Sequence, residues 1–133
     1  MKKTLIFLFI FVSYFNAMAQ KKTITSYKYI DGSNNTYIIS SKSVEYVPIT
    51  PENSSSGMYS GGKPFNVAIS TEQATEINNL LADAFKNKEI QLETRPKGAG
   101  TIIKITGKSS KTIILKMNAS EKLAIEKWLK ALN

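Results

Sequence analysis

The sequence contains no histidine and no cysteine among its 133 residues. Without histidine, a Ser-His-Asp triad is excluded, and so is the side chain that most often acts as a general base near neutral pH. Without cysteine, the chain has no disulfides and no thiol nucleophile, and the two absences together exclude a zinc site built from these ligands. The fold must therefore be held together by its core, and the remaining options for chemistry are carboxylate pairs, Ser-Lys pairs or a metal bound by carboxylates alone.

Arginine is almost as scarce, because Arg95 is the only arginine in a chain with 18 basic residues. The formal net charge is +8, and the lysines are spread along the chain rather than clustered. Proteins that read nucleic acids favour arginine for its bidentate fork. We therefore expect no specific nucleic-acid partner. The positive charge serves solubility, or it gives weak attraction to an anionic envelope surface or an acidic partner.

Only one long apolar run is present, and it lies at the N-terminus. Lys2 and Lys3 precede the apolar stretch from Leu5 to Val12, and Ala17-Met18-Ala19 follows it. This layout is typical of a secretory signal peptide that is cleaved before Gln20. An uncleaved anchor is the alternative, but the run is shorter than the roughly 20 apolar residues of a spanning helix. We therefore predict a signal peptide over 1–19 and an exported protein, periplasmic or extracellular, with no membrane span after cleavage.

Residues 20–133 are long enough for one domain with an ordinary core. Runs rich in β-branched and aromatic residues, separated by Gly, Asn and Ser clusters, predict an antiparallel sheet of about six or seven strands. The predicted strands are Thr23–Ile30, Thr36–Ile39, Val44–Ile49, Phe65–Ile69, Glu89–Arg95, Thr101–Thr106 and Lys111–Met117. The turn clusters at 31–35 and 107–110 predict two hairpins.

Two amphipathic helices complete the predicted fold. Ser70 and Gln73 have the spacing of a capping box before a helix over 71–86. Asn118 is the predicted N-cap of a second helix, with Glu121 at its third position and Trp128 on its apolar stripe, where we expect a core residue. The fold class is therefore α+β, with both helices packed on one face of the sheet. Each half of the chain has strands followed by a helix. This order indicates either a βββα duplication or merely an order of elements that is common in α+β folds.

The segment 50–64 differs from the rest of the chain in composition. It reads TPENSSSGMYSGGKP, with four Ser, three Gly and two Pro, and it fits no regular period. Long loops of this kind are usually functional or mobile. Met58, Tyr59, Ser60 and Lys63 are candidate partner-binding residues, because Met and Tyr supply contact area among small neighbours. The alternative is a disordered or merely tolerated insertion without a role in binding.

Tyrosines on the predicted strands form a second candidate surface. Tyr27 and Tyr29 share one face of their strand by the period of two, and an exposed tyrosine face could bind a glycan or peptide by stacking. The alternative is that both rings are half-buried over the sheet, with their hydroxyls reaching water.

The remaining polar motifs give no catalytic or metal site. Glu72 and Glu76 lie one helical turn apart, where two exposed carboxylates only repel each other. The cluster at 31–34 lacks the spacing of a calcium loop and is typical of a turn. The serines and lysines of 40–42 and 60–63 match neither a helical S-x-x-K motif nor a phosphate-binding loop.

The sequence therefore favours a small exported binding or accessory protein that is not an enzyme and needs no cofactor. Its contact surface is the 50–64 loop, and its partner is a protein, peptide or glycan of the cell envelope or exterior. Two alternatives stay open: an exported hydrolase that uses carboxylates or a Ser-Lys pair, and an accessory subunit whose sheet edge pairs with a larger complex.

The signal peptide makes a direct prediction about the exported protein. Its mass should correspond to the 114 residues that begin at Gln20, because the small residues Ala17 and Ala19 stand where signal peptidase reads the chain. Intact-mass analysis of the exported fraction measures this. A mass that retains residues 1–19, found in a membrane fraction, would contradict it.

Overall fold

The computed structural model describes residues 24–133, so the predicted signal peptide and its cleavage site lie outside the described residues. Within them, the chain forms one antiparallel sheet of seven strands and two α-helices, which confirms the predicted α+β class. The strands are β1 Thr25–Ile30, β2 Thr36–Ile39, β3 Ser43–Val47, β4 Phe65–Ala68, β5 Gln91–Leu92, β6 Gly100–Thr106 and β7 Ser109–Leu115. The helices are α1 Thr71–Lys86 and α2 Ser120–Lys130.

The strand order is β4-β3-β2-β1-β6-β7-β5, and the two halves of the chain meet where β1 pairs with β6. The first half is a meander, so the strand before α1 is the edge strand β4. In the second half the strand before α2 is β7, which β5 covers in part. Because the connections of the two halves differ, the duplication stays a hypothesis.

Helix α1 has the predicted bounds because its start is encoded locally. The Ser70 hydroxyl accepts from the Gln73 amide at 3.1 Å, and the Gln73 side chain accepts from the Ser70 amide at 2.9 Å. This capping box satisfies two amides that the helix itself leaves free. The buried face of α1 follows the predicted period, with Ala74, Ile77, Leu81 and Ala84.

Helix α2 begins differently from the prediction. Its N-cap is Ala119 rather than Asn118, and no side chain of the described residues caps it. Glu121 instead accepts from the Asn87 side chain at 2.8 Å, and this hydrogen bond is the main reason why the pKa of Glu121 lies below its ordinary value. Asn118 is exposed in the turn that Lys116 and Ala119 close. Glu121 therefore links the start of α2 to the end of α1 instead of completing a capping box.

The predicted strand over 89–95 is largely wrong. Lys88–Ile90 forms a 3₁₀ turn, and only Gln91 and Leu92 pair with β7. The Gln91 side chain donates to the carbonyls of Ala84 and Phe85 at 2.9 and 3.2 Å, so it satisfies the C-terminal end of α1. This local task keeps the segment close to the helix, and the chain leaves the sheet edge after Leu92.

The hypothesis of an exposed tyrosine surface is wrong for Tyr27 and Tyr29, whose residues are only 6% and 0% exposed. Both side chains point to the face of the sheet that the helices cover and belong to the core. The period of two correctly placed them on one face, but it could not say which face would be covered. Rings of Tyr29, Tyr37, Tyr46 and Phe65 continue side by side across β1 to β4, with centroids 4.7 to 6.3 Å apart.

Trp128 lies at the rim of the core rather than inside it. Its ring is partly buried against the core, and its indole N–H donates to the Glu76 carboxylate on α1 at 3.0 Å. The residues of α2 that are fully enclosed are Ile125 and Leu129.

A polar network lies under α2, at the centre of the sheet. The hydroxyl of Tyr29 donates to Glu126 at 2.7 Å, and the Lys122 ammonium contacts the same carboxylate oxygen at 2.9 Å. Lys122 is 5% exposed. Gly100 leaves room for the phenol, since a Cβ there would lie 2.8 Å from the hydroxyl. Burial is the largest cause that raises the pKa of Tyr29 far above 10.0, and the bond to Glu126 adds to it.

The raised pKa of Tyr29 predicts a loss of stability in alkali. Above about pH 10 the unfolded chain releases the phenolic proton while the native state keeps it, so stability is complete below that pH and falls above it. In Tyr29→Phe, the free energy of unfolding should fall less steeply with pH than in the wild type, by about 1.4 kcal/mol per pH unit. Urea unfolding between about pH 9 and 11.5 measures this difference.

The matched control is Tyr59→Phe, which removes a hydroxyl outside the core. The lysines are common to all three proteins, so their titration cancels from the comparison. Equal slopes for Tyr29→Phe and the wild type would contradict the assignment.

Candidate functional site

A cleft of about 560 Å³ lies at one end of the sheet, between three loops. These loops are the turn between β1 and β2, the long loop between β3 and β4, and the turn between β5 and β6. Hydroxyl groups line much of the cleft: they belong to Ser33, Ser54, Ser55, Ser56 and Tyr59. Arg95 and Lys97 are its charged residues, and among residues 24–133 no carboxylate lines it. The charged side chains of the cleft are therefore all positive, and they lie among both polar and apolar surface.

The turn between β1 and β2 is organised by Asp31. Its carboxylate accepts from the amides of Ser33 and Asn35, and from the Asn35 side chain, each at 2.9 Å. Asn34 adopts a left-handed backbone conformation with φ 69°, which asparagine tolerates better than most residues. These bonds use the Asp31 oxygens within the turn. No cluster of three or more potential metal ligands is found in residues 24–133.

Asn35 connects this turn to the long loop. Its side-chain oxygen accepts from the Ile49 amide at 3.0 Å, and its amide nitrogen donates to the Tyr59 hydroxyl at 3.3 Å. The residue is 4% exposed, and a side chain at Gly61 would overlap it. A single buried amide therefore holds the start and the middle of the long loop against the turn.

Arg95 connects the same turn to the third loop. Its guanidinium donates to the Asn34 side chain at 2.6 Å and to the Asp31 carbonyl at 2.8 Å. The two turns also touch directly, because a Cβ at Gly32 would lie 2.6 Å from the Gly98 carbonyl oxygen. The three loops therefore form one hydrogen-bonded unit, although each is remote from the others in sequence.

The candidate residues of the long loop do not converge on one site. Tyr59 lines the cleft, and Met58 beside it is 83% exposed. Ser60 is exposed, and its hydroxyl accepts from the Gly62 amide at 3.2 Å. Lys63 lies in a separate depression of about 430 Å³, beside Tyr37 and other aromatic rings. Burial is the main cause that raises the pKa of Tyr37 to about 12.

A third depression, of about 310 Å³, brings two carboxylates together. Asp31 and Glu126 both line it, next to Lys122. Carboxylates from different elements on one cleft are what a carboxylate-dependent hydrolase needs. Here, however, Asp31 accepts the hydrogen bonds of its own turn, and Glu126 accepts from Tyr29 and Lys122. Both groups thus have structural partners.

Sequence reasoning missed the residues that build these sites. Asn35 was part of a turn cluster, and nothing local indicates that its side chain reaches residues 49 and 59. Arg95 had one usable signal, because it is the only arginine in the chain. Lys122 had another, because it lies three and seven residues before Ile125 and Leu129, on the apolar face of α2.

No protein-family model matches this sequence, and neither the curated proteins nor the solved structures include a significantly similar chain. Any functional conclusion therefore rests on the geometry of the sites.

The role of Asn35 is testable by Asn35→Ala. The change leaves the part-buried Ile49 amide without an acceptor, and we expect a loss of about 1–3 kcal/mol in the free energy of unfolding. Amide hydrogen exchange in the 50–64 loop should accelerate more than exchange in β1. The control is Asn53→Ala, which removes an exposed hydrogen bond within the same loop. Unchanged loop exchange in Asn35→Ala would contradict the role that we assign to Asn35.

Proposed function

We propose that this chain is an exported, non-enzymatic binding protein whose cleft takes a negatively charged polar ligand. The observation that carries the proposal is the charge of the cleft: Arg95 and Lys97 line it, and no carboxylate of residues 24–133 does. Five hydroxyl-bearing residues line the cleft together with the two cations, and a hydroxyl can donate to a carboxylate or to a sugar hydroxyl. An acidic peptide segment or an acidic sugar has this chemistry.

The rigidity of the loops supports binding as the function. Binding costs less free energy when the site is ordered before the ligand arrives. Asn35 and Arg95 connect all three loops, Asn35 through a part-buried hydrogen bond to Ile49 and Arg95 through two hydrogen bonds to the β1–β2 turn. Met58 and Tyr59 add exposed apolar area at the long loop, as the sequence predicts for a contact residue pair.

Export is supported by the sequence of the first 19 residues, which has the layout of a signal peptide. Among residues 24–133, neither helix combines the length and the apolar character that crossing a bilayer requires. We therefore propose that the ligand is met in the periplasm or outside the cell.

A hydrolase receives less support from the geometry. The carboxylates that face one depression, Asp31 and Glu126, are both used in hydrogen bonds that hold the fold. A general acid or base must exchange its proton with a substrate, and groups that hold the fold are poorly suited to that task.

The proposal is tested by Lys97→Glu, which reverses one charge of the cleft at an exposed residue. A panel of uronic acids and acidic dipeptides, each with its neutral counterpart, is screened by thermal shift. We expect that at least one acidic compound raises the Tm of the wild type, that its neutral counterpart does not, and that Lys97→Glu abolishes the effect.

The matched control is Lys42→Glu, which makes the same change of charge at an exposed residue of the β2–β3 turn. It should respond like the wild type. If Lys97→Glu responds equally well, or if no acidic compound in the panel raises the Tm of the wild type, the proposal is wrong.

A further inference from the structure

The outer edge of β7 carries backbone groups without a neighbouring strand. β5 pairs with β7 only through Gln91 and Leu92, which lie opposite Leu115 and Ile114. The rest of that edge, residues 109–113, has no strand beside it within residues 24–133. Ser109, Ser110, Lys111 and Thr112 are all exposed.

The direction of the backbone groups follows from the turn that joins β6 and β7. Gly107 has φ 59° and Lys108 does not have a positive φ, which is typical of a two-residue type II′ turn. The flanking pair Thr106 and Ser109 is then hydrogen-bonded, so alternate residues from Ser109 onward point toward β6. The N–H and C=O groups of Ser110 and Thr112 therefore point outward.

A hydrogen bond directly after the end of β7 supports this assignment. The Lys116 amide donates to the Ile90 carbonyl at 2.9 Å, on the outer side of β7. Because Lys116 lies four residues after Thr112 and six after Ser110, both even separations, the amides of all three residues face the same side.

This edge lacks most of the features that protect sheet edges. Proteins cover such edges, shorten them, or interrupt them with proline, bulges and charges. The opposite edge, β4, starts directly after Pro64, and α1 follows shortly after its end. Of these protective features, the uncovered part of β7 has only one charged residue, Lys111. Two copies that paired antiparallel about Lys111 would place like charges opposite each other, which disfavours self-association.

The charge of the edge indicates what it would accept. Lys111 lies directly opposite Lys104 on β6, and Lys108 is in the adjoining turn. The ion pairs within residues 24–133 involve none of these three lysines. The Lys111 ammonium instead lies 5.8 Å from the centre of the Phe85 ring. A carboxylate beside Lys111 would relieve the repulsion between the paired lysines.

We propose that the outer edge of β7 is a second binding surface, which takes an acidic extended peptide segment as an added antiparallel strand. Ser110 and Thr112 supply the ladder hydrogen bonds. Lys111 selects an acidic residue on the helix-covered face of the sheet, and residues next to the acidic one lie on the opposite face, where β-branched side chains fit. The turn of this hairpin lies at the opposite end of the sheet from the loop cleft, so this surface is independent of the proposed function.

The test uses the peptide acetyl-Thr-Val-Glu-Val-Thr-amide and nuclear magnetic resonance of the ¹⁵N-labelled protein. At millimolar peptide, we expect the amide signals of Ser110 and Thr112 to shift, with no shift at Asn66 and Ala68 on β4. A peptide with lysine in place of glutamate should bind about fivefold more weakly, as expected for loss of a cross-strand ion pair. A peptide in which the backbone amides that would pair with β7 are N-methylated should not bind, because it cannot donate the hydrogen bonds of the added strand.

Lys111→Glu should reverse the preference, so that the lysine peptide binds more tightly than the glutamate peptide. Lys42→Glu, with the same change of net charge, should keep the wild-type preference. The peptide comparison in the wild type tests the proposal without any variant.

Several results would overturn the proposal. These are equal affinity for the two peptides in the wild type, shifts at β4 instead of β7, and the absence of shifts at millimolar peptide. Concentration-dependent pairing of β7 between two copies of the chain would also overturn it, because the edge would then accept a basic strand.

Discussion

The arrangement of the second half of the chain depends on one interaction, the hydrogen bond that the Tyr29 hydroxyl donates to Glu126. Tyr29 is fully buried on the central strand of the sheet, and a buried hydroxyl without a partner is costly. Glu126 supplies the acceptor, and Lys122 balances the charge of that carboxylate. These contacts fix the rotation of α2 about its axis, because Lys122 and Glu126 must face the sheet together with Ile125 and Leu129. The phenol also explains why position 100 is a glycine, because it occupies the space that a Cβ would fill there.

The loop cleft is built by a different kind of contact. Hydrogen bonds connect its three loops: the Asn35 side chain accepts from Ile49, and Arg95 donates to Asn34 and to the Asp31 carbonyl. Loops held in this way keep their polar groups at the surface, where a ligand can reach them. The same residues that order the loops also place Lys97 and the serine hydroxyls around one space. Under the function that we propose, stability and binding are therefore linked at this end of the molecule, whereas the β7 edge at the other end depends only on the sheet.

How far the sequence predicts the fold depends on how local the signals are. The bounds of α1 were predictable because its capping box and apolar period lie within the helix itself. The N-cap of α2 was not, because Glu121 bonds to Asn87, which lies 34 residues earlier in the chain. β5 was overestimated because its composition suits a strand, while the Gln91 side chain is engaged with the end of α1. Of the candidate binding residues, Tyr59 reaches the cleft, but Tyr27 and Tyr29 lie in the core.

The sequence by itself determined the class of fold, the helix signals and most of the strand positions, because these follow from periodicity and from capping over a few residues. It also determined which chemistry is excluded, since a chain without histidine and cysteine has few catalytic or metal-binding options. Only the tertiary structure decided which face of the sheet is covered, which lysine is buried and which loops share a cleft. These properties depend on contacts between residues that are far apart in the chain, such as Asn35 with Tyr59 and Tyr29 with Glu126, and no local pattern specifies such pairs.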